Sequence, residues 1–140
     1  MSLVPPTIRI LADFYNNIRP EDLEECLVSD GISPLDYPSV DLLCKAGTMA
    51  VMYDNTECLG LCGVSNGCIW MLMTTHVYKH KIQFLRYSKE VVKNIRKSIK
   101  YPVVNKVWKQ NKLHIDWLKW VGAELTPYDD NFELLVFYPL

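Results

Sequence analysis

The sequence predicts an α+β fold, with a mixed, mainly antiparallel sheet of six to seven strands flanked by about four helices. Three observations lead to this prediction. Apolar residues alternate with a period of two across residues 48–74, a long amphipathic helix is indicated over residues 79–100, and a strand, a helix and a closing glycine follow between Val107 and Ala123. The predicted order is β-α-α-β-β-β-α-β-α-β-β, and we expect residues 1–140 to form a single domain.

The N-terminal third is predicted to supply one strand and two helices. The first strand is predicted at Thr7–Ala12, where isoleucines alternate with polar residues. Pro20, followed by two acidic residues, predicts the start of a helix that runs to about Ser29, because proline suits the first turn and acidic groups suit the positive end of the helix dipole. A second short helix is predicted over Pro38–Ala46, ended by Gly47.

The middle of the chain is predicted to form three sequential antiparallel strands. They are expected at Thr48–Tyr53, Cys58–Val64 and Cys68–Thr74. The sequence Asn66-Gly67 between the last two is a strong signal for a tight hairpin, since both residues tolerate a positive φ.

The C-terminal half begins with the longest predicted helix, from about Lys79 to Lys100, which has apolar residues on one face and basic residues on the other. Pro102 ends this helix, and a strand is predicted at Val103–Trp108. A final hairpin is predicted from Ala123–Thr126 and Phe132–Tyr138, around an acidic turn.

The helix between these strands has clear start and stop signals. Asn111 is expected to cap it by accepting from the first free N–H groups, and Leu113, Trp117 and Val121 repeat at a spacing of four and form an apolar stripe. Gly122 suits the left-handed position that closes a helix.

Charge is strongly segregated, although the net charge is −1. Residues 1–60 hold three basic and ten acidic residues, whereas residues 79–120 hold twelve basic and two acidic residues. This asymmetry indicates either an anionic partner for the basic part or a solvated helix face. Most aromatic residues of the basic part fall at core-like spacings, so the sequence does not favour nucleic-acid binding.

The five cysteines are an odd number, which argues against a complete disulfide framework. Cys58 and Cys62 share one face of a predicted strand and are expected to be buried as small hydrophobic groups, and no metal site is predicted. No apolar run approaches the length of a membrane span and the N-terminus lacks a signal pattern, so we expect a soluble protein made inside the cell.

The strand–helix–glycine segment resembles the C-terminal motif of the GNAT family of N-acetyltransferases, and the predicted order of elements is similar to theirs. The resemblance implies that splayed central strands present backbone groups to acetyl-CoA, and that a glycine-rich loop before the long helix holds its pyrophosphate. Here Thr75–Ile82 contains no glycine. Lys79, His80, Lys81 and Asn111 are the residues that would bind the cofactor, if acetyl-CoA binds at all.

The resemblance also defines candidate catalytic residues. Many family members have a tyrosine general acid seven residues after the asparagine, where this chain has Leu118. His76, at the end of a predicted strand, is a candidate general base, and Tyr128 or Tyr138 is a candidate substitute acid. For His114, in the first turn of its helix, a partly exposed packing or capping role is expected. The residues leave open whether the chain is an enzyme.

From about Gly47 to Phe137 the chain also resembles a small family of GNAT-like internal virion proteins of short-tailed lytic phages. The matching residues are Gly67-Cys68-Ile69-Trp70, Thr74-Thr75, Val107-Trp108, Asn111, His114-Ile115, Leu118-Lys119, Gly122-Ala123 and Phe132. The resemblance implies a role in virion assembly or genome ejection, partners among other phage proteins, a location in the virion or host cytoplasm, and vestigial acetyltransferase activity. An active acetyl-CoA-dependent N-acetyltransferase that modifies a host or phage amine is the alternative, and the oligomeric state stays open.

Overall fold

The computed structural model describes residues 1–30, 43–44 and 46–140. The elements are β1 (Ser2–Val4), α1 (Ile8–Asn17), α2 (Pro20–Asp30), β2 (Met49–Tyr53), β3 (Glu57–Ser65), β4 (Cys68–Met73), a 3₁₀ helix (Thr75–Lys79), α3 (Lys81–Ser98), β5 (Val103–Trp108), α4 (Lys112–Trp120), β6 (Glu124–Pro127) and β7 (Phe132–Phe137). The α+β class and the predicted order of strands and helices are confirmed. The predicted helix at Pro38–Ala46 lies outside the described residues except at positions 43, 44 and 46.

The predicted strand at Thr7–Ala12 is wrong, because this segment begins α1. The Thr7 hydroxyl caps the helix by accepting from the backbone N–H of Ile10 across 3.2 Å. Leu11 and Phe14 are buried at helical spacing. The first strand is instead β1, which pairs antiparallel with β2.

The seven strands form one sheet in the order β1-β2-β3-β4-β5-β7-β6. Neighbouring strands are antiparallel except for β4 and β5, which are parallel. The predicted hairpin between β3 and β4 is confirmed, with positive φ angles of 52° at Asn66 and 76° at Gly67.

The parallel pair β4–β5 opens towards its C-terminal end. Within the described residues one register pair, Cys68 with Val104, joins the two strands. One residue further along each strand, the side-chain amide of Asn105 donates to the carbonyl of Ile69 across 2.8 Å. The ends of the strands, at Met73 and Trp108, therefore diverge and leave a gap in the sheet, which we call the strand opening.

Helices cover both faces of the sheet. Leu11 and Phe14 of α1, with Cys26 of α2, pack on the face that includes Leu61 and Leu72. On the opposite face, α3 and α4 pack over a second core cluster, whose members include Leu59, Met71, Phe84, Trp117 and Val107. None of the helices among the described residues is long and apolar enough to span a membrane.

Helix α4 ends as the sequence predicts. Gly122 has a φ of +100°, its N–H donates to the carbonyl of Lys119, and the N–H of Ala123 donates to Leu118 across 2.9 Å. The predicted apolar stripe is partly wrong, because Leu113 is exposed. Leu118 is 2% exposed and belongs to the core together with Trp117 and Val121.

Candidate functional site at the strand opening

A buried polar network fills the C-terminal end of the strand opening. We call it the opening network, and its members are Arg19, Asp22, Glu25, Asn111 and His114, all of them buried. The first three come from α2 and the residue before it, and the other two from the start of α4. Because buried polar groups must find partners, the contacts of this network decide what the opening can do.

Two carboxylates of α2 bind the backbone at the ends of the diverging strands. The N–H of Met73, the last residue of β4, donates to Asp22 Oδ2 across 2.8 Å. The N–H of Trp108, the last residue of β5, donates to Glu25 Oε1 across 2.6 Å. Since Asp22 and Glu25 are three residues apart, they lie on the same side of α2 and reach both strands together.

Asn111 connects the two carboxylates. Its side-chain N–H₂ donates to Asp22 Oδ1 across 2.8 Å and to Glu25 Oε2 across 3.1 Å, while its carbonyl oxygen accepts from Arg19 Nη2 across 3.3 Å. Asn111 occupies the N-cap position of α4, but its side chain does not cap the helix. The predicted capping role is therefore wrong, because the side chain turns inward to the carboxylates of α2.

Arg19 supplies a buried positive charge and is 2% exposed. Its Nη1 donates to Asp22 Oδ1 across 3.1 Å, and its Nε donates to the hydroxyl of Tyr78 across 2.9 Å. Its backbone N–H also donates to the carbonyl of Met73 across 2.9 Å. Burial raises the pKa of Asp22 above its ordinary value. The charges of His114 and Arg19 and the hydrogen bonds from Asn111 and Met73 lower this pKa, but by less than burial raises it.

His114 completes the network, with its Nδ1 3.4 Å from Glu25 Oε2. The expected partly exposed role is wrong, because the histidine is buried. Burial alone would raise the pKa of Glu25, but the hydrogen bond and charge of His114, with the hydrogen bonds from Trp108 and Asn111, lower it below the ordinary value.

The residue types and spacing of Asp22, Glu25 and His114 also suit a metal ion, since one ligand atom of each lies within 4.8 Å of the others. However, every oxygen of the two carboxylates already accepts a hydrogen bond or pairs with a cation. The guanidinium of Arg19 lies where a cation would bind Asp22. The contacts fit an internal ion network better than a metal site.

A second polar cluster contains three of the sequence-predicted residues. His76 Nδ1 lies 3.0 Å from Glu57 Oε2, and His76 Nε2 lies 3.2 Å from Asp13 Oδ1. His80 Nε2 lies 3.2 Å from Glu57 Oε1, and Lys79 Nζ lies 3.6 Å from Glu57 Oε2. The hydrogen bond from His80 is the largest cause of a lowered pKa at Glu57. These contacts tie the 3₁₀ helix to α1 and β3, and none of them involves the opening network.

The other predicted candidates lie apart from both clusters. Lys81 is exposed, with its Nζ 6.0 Å from the centre of the Tyr78 ring. Tyr128 is exposed in the turn between β6 and β7, and Tyr138 is exposed after β7. Of the predicted cofactor and catalytic residues, the structure brings Asn111 alone into the opening network.

A cavity of about 860 Å³ lies beside the opening network. Glu25 and His114 line it, together with apolar side chains of β4, α3 and α4, among them Met71, Phe84 and Trp117. Trp70 also lines the cavity, with its ring beside Gly63 of β3.

The predicted burial is confirmed for Cys58, but the prediction that Cys58 and Cys62 share one face of the strand is wrong. Cys58 packs with the cluster that includes Leu61, whereas Cys62 packs with the opposite cluster that includes Leu59, because the register between β2 and β3 shifts at Val51 and Met52. Cys58 is buried and Cys62 is half-buried. Burial raises the pKa of Cys58 to about 12 and that of Cys62 to about 11, which keeps both thiols protonated near neutral pH.

The seven-stranded sheet, the opening between two parallel strands and the order of the helices define a GNAT-like fold. The chain is similar to the crystal structure of smu.2055 from Streptococcus mutans UA159, with a TM-score of 0.57, 14% identity, and coverage of 97% of this chain and 96% of that one. It is also similar to an acetyltransferase from Agrobacterium tumefaciens str. C58, with a TM-score of 0.58, 15% identity, and coverage of 97% and 89%. At sequence identities of 14% and 15%, the similarity to these two proteins establishes the fold alone.

Residues 48–128 match the model of a protein family described as the bacteriophage T7 probable scaffold protein Gp13. The match covers more than half of the 140 residues, and the chain belongs to this family. The link to phage proteins that the sequence resemblance implies is thereby confirmed. A search of curated protein sequences finds no match.

Proposed function

We propose that this protein takes part in phage particle assembly or genome ejection through contacts with other phage proteins, and that its GNAT-like fold no longer transfers acetyl groups. Membership of a phage scaffold-protein family supports the first half of the proposal. The proposal places the protein in the virion or in the host cytoplasm.

The proposed loss of acetyl transfer rests on the opening network. In the enzymes that the fold resembles, splayed strands present backbone groups to acetyl-CoA. Here the final N–H groups of β4 and β5 already donate to Asp22 and Glu25. A cofactor arm in this place would have to displace two buried carboxylates, which would leave Arg19 without its partner and leave buried charges uncompensated.

Two further features support loss of catalysis. The segment before α3 forms a 3₁₀ helix without glycine, and its His76 and His80 are paired with carboxylates. Leu118, which takes the place of the expected tyrosine, is buried in the core and has no group that could protonate a thiolate.

Isothermal titration with acetyl-CoA tests the loss of cofactor binding. We expect no saturable heat up to about 1 mM cofactor, a concentration that would reveal even very weak binding. Micromolar binding that weakens in a Lys79→Ala/Lys81→Ala variant would overturn the proposal. A Lys112→Ala/Lys119→Ala variant, with two exposed lysines removed from α4, controls for the loss of positive charge.

A phage that lacks a functional copy of this gene tests the assembly role. We expect fewer complete or infectious particles, restored when the wild-type chain is supplied from a plasmid, and restored equally by a His76→Ala variant. Normal yields and infectivity without the chain would contradict the proposal. If the assembly role holds, mass spectrometry of purified virions and of assembly intermediates will identify the stage at which the chain is present.

An active acetyl-CoA-dependent N-acetyltransferase is the second candidate, and the cavity favours it. Its volume of about 860 Å³ lies within the ordinary range for small-molecule sites. The N-terminus of α3 lacks a side-chain cap and is flanked by Lys79 and Lys81, which suits a phosphate group. In this case His76 would act as the general base or Tyr128 as the general acid. The purified protein would then acetylate amines at a measurable rate.

A further inference from the structure

One exposed surface combines basic and apolar side chains. We call it the α3–α4 face, and its members are Ile82, Arg86, Lys89, Lys93 and Trp120. Ile82 is 64% exposed and Trp120 is 48% exposed, with Lys89 Nζ 4.1 Å above the centre of the Trp120 ring. The four α3 members recur at spacings of three and four and therefore lie on one side of the helix.

The positive charges of this face have no acidic partner within the described residues. No carboxylate there lies within 4 Å of Arg86, Lys89 or Lys93. Trp and Arg beside exposed aliphatic groups are typical of protein interfaces, whereas a surface that binds only phosphates has no use for an exposed isoleucine.

A second surface has the opposite charge and similar apolar groups. We call it the α2 face, and its members are Glu21, Glu24, Leu27 and Val28. Leu27 is 47% exposed and Val28 is 44% exposed, and both glutamates are exposed. These four residues also lie on one side of their helix, next to the side that carries the buried Asp22 and Glu25 of the opening network.

The two faces lie on opposite sides of the sheet. The helix α2 packs, through Cys26, with the cluster that includes Leu61, whereas α3 and α4 pack with the cluster that includes Leu59. The faces therefore point away from each other in one molecule. They can meet between two molecules, and a contact between different faces leaves one of each kind unused at the ends of the assembly.

We propose that the α3–α4 face binds the α2 face of a second copy of this chain, so that copies associate head to tail. The proposal rests on the proposed function, in which the protein acts through protein contacts. Glutamates of one copy meet the basic residues of the next, and Leu27 and Val28 pack against Ile82 and Trp120. Each added copy uses one of its faces and leaves the other free for the next copy, as an open assembly requires.

Sedimentation velocity over a range of protein concentrations tests this inference. At low salt we expect the sedimentation coefficient of the wild type to rise with concentration, and to rise less at high salt. A Lys89→Glu/Lys93→Glu variant and a Glu21→Lys/Glu24→Lys variant should each associate about tenfold or more weakly, since like charges then face each other. An equimolar mixture of the two variants should recover association, because each acidic face again meets a basic one.

A Lys112→Glu/Lys119→Glu variant is the matched control. It makes the same change in net charge at two exposed lysines on another side of α4, and it should associate like the wild type. Circular dichroism checks that each variant is folded.

A wild type that is monomeric at all concentrations would overturn the inference, and so would a mixture that fails to recover association. A monomer that binds a 30-base-pair DNA duplex through Lys89 and Lys93 would assign the face to nucleic acid instead. The phage complementation experiment tests the proposed function separately, because a monomeric protein can still be required for assembly.

Discussion

The carboxylate of Glu25 accepts a hydrogen bond from the backbone N–H of Trp108 across 2.6 Å, although 83 positions separate the two residues. This bond ties the middle of α2 to the end of β5. Asp22 makes the equivalent bond to Met73 at the end of β4, so one helix closes the gap between two strands. The stability of the fold should therefore depend on these carboxylates.

Asp22→Asn should lower the free energy of unfolding by about 3–5 kcal/mol, because it leaves the buried guanidinium of Arg19 without its closest negative charge. Urea unfolding measures the change. Glu21→Gln is the control, since Glu21 lies 3.6 Å from the same guanidinium but is half exposed. It should cost about 0–1 kcal/mol. Equal effects of the two variants would contradict an essential role for the buried pair.

The contribution of Glu25 should depend on pH. Its pKa in the folded protein lies below the ordinary value of 4.5, so its charge stabilises the fold above that pH, and this contribution is lost as the pH falls through the folded pKa. The difference in unfolding free energy between the wild type and Glu25→Gln should be largest near neutral pH and should shrink below about pH 4.5. A difference that grows on acidification would show the opposite sign of the pKa shift. The exposed Glu24→Gln should change stability by less than about 0.5 kcal/mol.

Ser88→Ala should destabilise the protein by about 1–3 kcal/mol, because the buried indole N–H of Trp117 donates to the Ser88 hydroxyl across 2.9 Å and would lose its partner. Ser98→Ala is a close control on the same helix. Each serine donates to the carbonyl three residues before it, but Ser98 is exposed. Thermal unfolding should therefore separate the two variants clearly, and indistinguishable midpoints would argue against the Trp117 contact.

Gly122→Ala should cost about 1–2 kcal/mol, since a φ of +100° is strained for any residue with a Cβ. The new Cβ would lie 3.0 Å from Arg96 Nη1, which is the end of a flexible side chain and can move. Gly67→Ala, with a φ of +76° and no atom within 4 Å of the new Cβ, should give a similar loss in urea unfolding. A much larger loss at Gly122 would mean that Arg96 is held firmly.

Local patterns in the sequence predict most of the fold. The Asn66-Gly67 turn, the amphipathic α3 and the glycine that ends α4 are encoded within a few residues of the elements they shape. The segment Thr7–Ala12 misleads, because its alternating isoleucines also fit the start of a helix capped by Thr7. The strand that does begin the sheet has three residues, too few for a clear period.

The opening network could not be predicted, because its partners are far apart in the chain. Asn111 has the residue type and position of a helix cap, and nothing near it in the sequence indicates that its amide binds Asp22, 89 positions away. The acidic residues at the start of α2 suit the helix dipole equally well. The one local signal was the spacing of Asp22 and Glu25, which places two carboxylates on one side of a helix.

The separation between α2 and α4 also orders the events of folding. Arg19 and Asn111 are 92 positions apart, so during synthesis the opening network stays incomplete until the first five of the seven strands have been made. The opening network can form only in a late step, after the start of α4 has left the ribosome. Until then the diverging ends of β4 and β5 keep their backbone groups available, and a partially folded chain is the form most exposed to wrong strand pairing.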